Sequence, residues 1–380
     1  MKTKSFTIQA DATTVADEVA ALDGPNTLVL AFATDGLDGS EPAWRALQKA
    51  FGRSKILGCS TAGAIGAGTL QERGIVVAVA CFERTTLRLV SVALADASES
   101  FDAGRRLVDE LVGEDLRGVY VLSDGRDVNG SKLTEGMCAS APTDVVITGG
   151  LAGDGDRFEE TWIVVDGERR NKSVAGVGFY SDALELGHGY GSGWDGFGMR
   201  WRVTRSEGNV LYELDGRPAL EVYKEYLGEL AAGLPANALL FPLAMKAEGD
   251  EPVVRTVLAI DEAQQSMTFA GDIPEGVRVR LMRASLEGLI DGAMVAGQQT
   301  SERIIDVQGD SLSIAVSCVG RRLVLGERVE EEVESALDEL PAGTTLVGFY
   351  SYGELSPHRA GPCQLHNQTM TLTTLFERAA

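Results

Sequence analysis

Four short stretches join small residues to a hydroxyl or a carboxylate: Asp35-Gly36, Gly58-Cys59-Ser60-Thr61-Ala62-Gly63, Ser123-Asp124-Gly125 and Gly149-Gly150-Leu151-Ala152-Gly153-Asp154-Gly155. Each follows an apolar run of strand length, and polar groups after buried strands project from the sheet rim, where ligands of α/β folds bind. Three readings fit 58–63: a tightly packed turn, a run of backbone N–H groups that holds a carboxylate or other anion, or a nucleophile at Cys59 or Ser60. The Gly-x-Ser-x-Gly elbow fails because Ala62 stands where its last glycine belongs, which places binding ahead of catalysis. The stretch 149–155 lacks both the Lys-Ser/Thr ending of a phosphate loop and Gly-x-Gly-x-x-Gly spacing, so nucleotides are disfavoured. Its Asp154 either caps local backbone N–H groups or faces a cavity and pairs with an ammonium.

In the second half, Ser317-Cys318-Val319-Gly320-Arg321-Arg322 sets guanidinium groups at a strand end of an acidic chain. Arg321 has two readings, a bidentate grip on a ligand carboxylate or a structural ion pair. Glu354, within Tyr352-Gly353-Glu354-Leu355, and Asn367-Gln368-Thr369 add polar groups near strand ends, whereas ERVEEEVE at 327–334 reads as a solvated helix face. The three histidines, His188, His358 and His366, share no i, i+3 or i, i+4 pair on a predicted helix. Cys363-x-x-His366 lacks the second pair that four zinc ligands need, so no metal is assigned and His366 reads as a satisfied strand histidine. No cofactor is assigned either; haem is open only through a lone axial His, Tyr or Cys.

Positioning these groups requires many short strands. The first half predicts strands over 27–33, 55–58, 75–82, 86–94, 118–122, 144–148, 162–165 and 173–180, with glycines, 45 in all, at the ends of the apolar runs. One helix takes Ser40 as N-cap, carries Pro42 in its first turn and stops at Gly52; another runs over 101–112. The runs 75–82 and 86–94 are so close that an antiparallel hairpin is expected. After a strand over 209–214, Asp215-Gly216 and Pro218 open a helix with Leu220, Tyr223, Leu227 and Leu230 at helical spacing, and the domain boundary is placed there. The second half predicts strands over 253–260, 267–270, 277–282, 311–319, 344–350 and 364–375 and helices over 286–296 and 327–340. The fold class is α/β (mixed α+β): two domains with mixed or antiparallel sheets flanked by helices. Gly-Phe-Tyr-Ser at 178–181 and again at 348–351, each with a histidine ten residues beyond its first glycine (His188, His358), is the kind of trace a duplicated domain leaves.

Charge narrows the function. With 34 Lys+Arg against 56 Asp+Glu the chain carries −22, which repels phosphodiesters and makes a nucleic-acid partner unexpected. No apolar stretch nears the ~20 residues of a membrane-crossing helix, and the N-terminus lacks the apolar core of a secretory leader. Five scattered cysteines without CxxC spacing suit reduced thiols, so a cytoplasmic location without membrane insertion is expected.

In their order, 58–63, 149–154, Tyr212-Glu213-Leu214-Asp215-Gly216-Arg217-Pro218-Ala219, Ser317-Cys318-Val319-Gly320-Arg321, 348–354 and Leu365-His366-Asn367-Gln368-Thr369 resemble the FIST proteins, with an N-domain over 25–216 and a C-domain over 217–380. The resemblance implies a bacterial intracellular sensory module that is not an enzyme and binds small ligands such as amino acids. Since the two regions occupy the chain, its signal is expected to leave through a separately encoded protein such as a histidine kinase. The residues offered for the ligand are Cys59, Ser60, Thr61, Asp124, Gly150, Asp154, Arg321 and Glu354. In this scheme the 58–63 turn or Arg321 takes a carboxylate, and Asp124, Asp154 or Glu354 takes an ammonium. The alternatives are a haem-binding nitric-oxide sensor, with no histidine assigned to the iron, a cysteine-dependent enzyme using Cys59 or Cys318, and a scaffold without a ligand.

Overall fold

The computed structural model describes residues 1–34, 37–155, 157, 159–246, 252–304, 309–358 and 361–378, so the Asp35-Gly36 candidate lies outside the described residues. The architecture is mixed α+β, as expected. The first sheet orders its strands Lys2–Ile8, Ile75–Cys81, Thr27–Ala33, Lys55–Ser60, Ile163–Val165 and Glu168–Arg170. The second runs Cys363–His366, Gly353–Pro357, Val146–Leu151, Leu116–Ser123, Ser173–Tyr180 and Thr86–Ala93. The third runs Leu184–Gly191, Met370–Glu377, Ser311–Cys318, Thr344–Ser351, Ala64–Gly66 and Thr69–Gln71. The fourth runs Val253–Arg255, Leu243–Lys246, Arg278–Ala284, Trp194–Glu207, Val210–Leu214, Ser266–Phe269 and Val257–Asp261.

Strands buried on both faces explain the continuous apolar runs. Along Thr27–Ala33, Leu28, Leu30 and Phe32 point to a central core shared with Val177 and Phe179 of the second sheet and Val347 and Phe349 of the third. Val29, Ala31 and Ala33 point the other way, to Trp44 and Leu47 of the helix Leu37–Ala50. Phe32 and Phe349 stack with ring centroids 4.8 Å apart where two sheets meet. That helix begins ahead of Ser40, which is buried within it and is not the N-cap.

Ile75–Cys81 and Thr86–Ala93 are consecutive but do not pair. The first lies between Lys2–Ile8 and Thr27–Ala33, and the second edges the second sheet beside Ser173–Tyr180. The link between them is caught by one buried carboxylate. Glu377 accepts from the amides of Glu83 at 2.8 Å, Arg84 at 2.9 Å and Thr85 at 2.8 Å, and from the Thr85 hydroxyl at 2.7 Å. Loop length therefore suits a sheet-to-sheet step as well as a hairpin, and a residue nearly 300 positions away decides between them. The expected strand over 364–375 likewise divides into Cys363–His366 and Met370–Glu377, in different sheets, around Gln368 at φ 61°.

Many glycines sit inside strands instead of at their ends. Gly187, Gly189 and Gly191 alternate along Leu184–Gly191, and a Cβ at each would run into the carbonyl oxygens of Thr300, Ala296 and Gly292 of the helix Leu286–Ser301. Two strand residues rise about 6.6 Å and four helical residues about 6.0 Å, so this glycine row keeps step with the helix and lets it lie directly on the strand. Gly189→Ala is expected to lower the unfolding free energy by roughly 1–3 kcal/mol, the usual cost of overpacking, read from the shift in urea midpoint.

Candidate functional site

Three strand–helix–strand units carry parallel pairs: Thr27–Ala33 with Lys55–Ser60, Leu116–Ser123 with Val146–Leu151, and Ser311–Cys318 with Thr344–Ser351. Their C-terminal ends converge. Ala62 N donates to Tyr350 O at 2.9 Å, Tyr350 N to Gly63 O at 2.8 Å, Gly153 N to Ser60 O at 3.1 Å and Tyr352 N to Leu151 O at 3.3 Å. Most of the rim groups named from sequence therefore serve to join the units.

In the 58–63 turn, the amides of Ser60, Thr61 and Ala62 donate to Trp162 O, Ala33 O and Tyr350 O, which takes them from any anion. The Ser60 hydroxyl accepts from Trp162 N at 3.2 Å, and the Thr61 hydroxyl donates to Gly63 O at 2.5 Å and Tyr350 O at 3.1 Å. Cys59 faces the central core, and burial pushes its thiol well up. Burial, with Glu354 nearby, also pushes Cys318 up. Both shifts disfavour the thiolate that a nucleophilic cysteine needs, so burial argues against the cysteine-dependent alternative. Gly150 is a packing position: a Cβ there would strike Val316 and Phe349.

The carboxylates are held by the protein. Asp124 accepts from the amides of Arg126 at 2.9 Å and Asp127 at 3.2 Å, the Thr161 hydroxyl at 2.7 Å and Lys172 N at 2.9 Å. Glu354 is fully buried and accepts from Ser351 Oγ at 2.9 Å, Thr369 Oγ1 at 2.8 Å and Thr369 N at 3.2 Å. Burial still pushes its carboxyl up to about 8. Arg321 is also fully buried. Its Nε and Nη2 hold Glu332 at 2.9 and 2.8 Å, Nη1 reaches Ser192 O at 2.5 Å and Nη2 reaches Leu289 O at 2.6 Å. Arg321 therefore takes the structural ion-pair role, and Glu332 departs from the solvated face expected of 327–334. Ser317 Oγ at 3.1 Å and Tyr350 Oη at 2.8 Å complete the shell of Glu332.

Two of the named groups do meet at a cleft. Thr61, Ala62 and Gly63 line it together with Asp154, Gly155 and Arg322, and its volume is about 290 Å³. Asp154 accepts from Glu159 N at 2.8 Å, Glu160 N at 2.9 Å and the Tyr352 hydroxyl. Burial opposes its ionisation, but Tyr352 and the two amides outweigh burial and hold the carboxyl below the usual range. Arg322 donates to Ala62 O and, at 2.9 Å, to Glu72, while Arg73 and Arg157 add cations at the rim. A second hollow of about 690 Å³ shares Glu72, Gly155 and Arg322 with the first.

Arg322 and Tyr352 stand inside the sequence motifs without an assigned role, and Glu332 is not among the residues the motifs single out. A signal for Glu332 was present: Val329, Glu332, Val333 and Ala336 recur at i, i+3, i+4 and i+7, the inward stripe of a helix. Two of the three histidines also gather unexpectedly. His358 and His366 have ring centroids 5.9 Å apart, both lie within 5.0 Å of the Tyr190 ring, and His366 Nε2 is 3.1 Å from Ser356 O. Among the described residues no group of three or more His, Cys, Asp or Glu is arranged to hold a metal.

The sheets, the converging parallel units and the cleft between early and late segments define a two-region module, and its regions match known domains. The FIST N domain matches residues 27–217 and the FIST C domain residues 219–357, so the chain belongs to the FIST family. FIST domains are associated with sensory signal transduction, and theirs is not a known enzyme family. The chain is 23% identical over 348 residues to the uncharacterized protein MJ1623 of the archaeon Methanocaldococcus jannaschii, covering 79% of this chain and 64% of that protein. It is 24% identical over 240 residues to the uncharacterized proteins Mb0898c of Mycobacterium bovis and MT0897 of Mycobacterium tuberculosis, covering 61% of this chain and 60% of each. The chain thus spans between 60% and 64% of the length of these curated relatives. Among the described residues no helix is long and apolar enough to cross a membrane.

Glu354 generates a pH prediction. Its folded value of about 8 exceeds the ordinary 4.5, so between these pH values the folded protein binds more protons than the unfolded chain. The contribution is fully present below the lower value and is lost as pH rises through the upper one. Glu354→Gln should flatten the fall in urea midpoint across that window; a parallel fall in both proteins assigns it elsewhere.

Proposed function

We propose that this chain is the ligand-binding part of a sensory signalling system and that it holds a small zwitterionic metabolite, such as an amino acid, in the cleft of Thr61, Asp154 and Arg322. The observation that supports this reading is the meeting of groups of both signs from both FIST regions in one concavity at strand C-termini, with the Asp154 carboxyl kept ionised. Arg322 ties the helix Val319–Leu325 to the 58–63 turn and to Glu72. A ligand carboxylate that competes for its guanidinium alters this tie, while the ammonium faces Asp154. A tenfold to hundredfold response needs roughly 1.4–2.8 kcal/mol of preference for one arrangement, within reach of one or two charge-assisted hydrogen bonds. The changed surface is read by a separately encoded signalling protein such as a histidine kinase, the partner class that the family resemblance implies.

The test is a thermal-shift panel of amino acids and small carboxylates with the whole chain. At least one compound is expected to raise the melting temperature, and Arg322→Gln to weaken that compound by about tenfold or more. A panel without effect, or a shift that Arg322→Gln leaves unchanged, would sink the reading.

A second reading, a haem-binding nitric-oxide sensor, rests on His188. Its Nδ1 is buried without a hydrogen-bond partner beside a cavity of about 410 Å³ that Arg303, Pro357 and Cys363 also line. Burial, with Arg303 nearby, holds the ring down to about 4, so the imidazole is neutral at pH 7, as an axial ligand must be. Haem titration separates the two readings. The metabolite reading expects no Soret shift, and a shift lost in His188→Ala favours the haem reading.

A further inference from the structure

We propose that the cationic face of the fourth sheet, the one turned away from the helix Ala219–Leu227, is a second ligand site, for a small organic molecule carrying two or more phosphate groups. One face of this sheet is apolar: Trp201, Val203, Val279, Leu281 and Leu243 pack on Leu220 and Tyr223 of the helix Ala219–Leu227. Strand alternation then throws the intervening residues onto the other face. Lys246, Arg278 and Arg202 stand opposite one another across three neighbouring strands, and Arg280 stands opposite Arg200 in the adjacent row. A register shift between Phe197 and Arg200 brings Arg200 into that row, a re-aiming typical of bulges beside binding sites.

Like charges paired directly across strands are destabilising, and this chain has acids to spare, 56 against 34 cations. Other arginines of the same sheet find neighbours: Arg205 lies 3.6 Å from Glu213 and over the Tyr212 ring, and Arg283 lies over the Phe197 ring. Among the described residues, none of the five clustered cations has an ion pair. Glu275, the one acid among the described residues that line the cavity, accepts from Ser206 N at 3.0 Å. Arg280 Nε is shut off from solvent and has no hydrogen-bond partner. Its side chain occupies the space where a Cβ on Gly196 would sit. The cavity before these cations measures about 900 Å³, and Trp194, Ala244, Pro252 and Met282 form an apolar wall.

The chemistry of the ligand follows from this arrangement. Guanidinium groups match phosphate oxygens bidentately, and five cations are more than a single carboxylate can neutralise. The apolar wall calls for a carbon-rich portion beside the phosphates. The overall charge of −22 selects a compact anion over a long polyanion.

Isothermal titration of the whole chain with inorganic pyrophosphate, at low and at high ionic strength, tests the site. Binding is expected, weaker at high salt, and reduced on the order of tenfold by Arg280→Gln. Because Arg280 lies against Gly196, Arg202→Gln and Arg278→Gln, both exposed, serve as second variants with the same expected loss and an undiminished melting temperature without ligand. Arg322→Gln, in the cleft, should leave pyrophosphate binding intact, which separates this site from the metabolite reading. The proposal is overturned if pyrophosphate does not bind, if all three variants bind it as the parent does, or if a single-stranded oligonucleotide binds more tightly than pyrophosphate.

Discussion

The ion pair of Arg321 with Glu332 is the constraint on which this arrangement turns. Both side chains are without solvent exposure, and taking two charges out of water costs several kcal/mol for each unless the remaining donors and acceptors are satisfied. Here they are satisfied by Ser317, Tyr350, Ser192 O and Leu289 O. These bonds fasten the helices Val319–Leu325, Leu286–Ser301 and Val329–Asp338 to the two parallel strands of the third sheet. The next residue, Arg322, is rotated about 100° around the helix axis and reaches the cleft. Two adjacent arginines thus divide the labour, one bracing the helix and one lining the cleft.

The same logic governs the other buried carboxylates. Asp124 and Glu377 each gather backbone amides of a loop, and Glu354 holds the Asn367–Thr369 turn through Thr369. A buried carboxylate that accepts several N–H bonds fixes a loop in place of a longer stretch of regular structure. Such closure helps three strand–helix–strand units butt their rims together, because the carboxylates take up backbone N–H groups of the connecting loops. It also limits where a small molecule can find unsatisfied chemistry, since a rim group turned inward as a latch is closed to it.

The strands that bury both faces were legible because their composition alone fixes their environment: Thr27–Ala33 and Ser173–Tyr180 have the expected bounds, and the helix over 101–112 lies within one residue of Ser100–Leu111. Pairing was less legible. The step from Ile75–Cys81 to Thr86–Ala93 depends on Glu377, and the break after His366 depends on two sheets competing for one run of residues. At the candidate site, Thr61 and Asp154 were legible as rim groups following strands. The local pattern around Arg321 could not reveal Glu332, yet the periodicity of 329–336 contained it. The cations of the fourth sheet escaped notice because Arg200-x-Arg202 and Arg278-x-Arg280 are sparse in sequence and become dense only across the ladder.

Ser192-Gly193-Trp194 connects these features. Ser192 O receives Arg321 Nη1, and two residues on, Trp194 walls the cationic cavity while its Nε1 donates to Gln368 O at 2.9 Å. Gly193, at φ 79°, approaches Gly288 of the helix Leu286–Ser301 so closely that a Cβ would strike the Gly288 carbonyl. This closely packed segment joins the Arg321 brace to the wall of the fourth-sheet cavity through contiguous contacts. Contiguity alone is not coupling, which exists only where ligands at both sites favour the same one of two arrangements. Linkage then requires reciprocity: whatever factor a cleft ligand imposes on anion affinity, the anion imposes on the cleft ligand. In a chain whose glycines let helix and strand backbones touch, those arrangements are discrete packings and not a continuous deformation, because close-packed interfaces shift between fits.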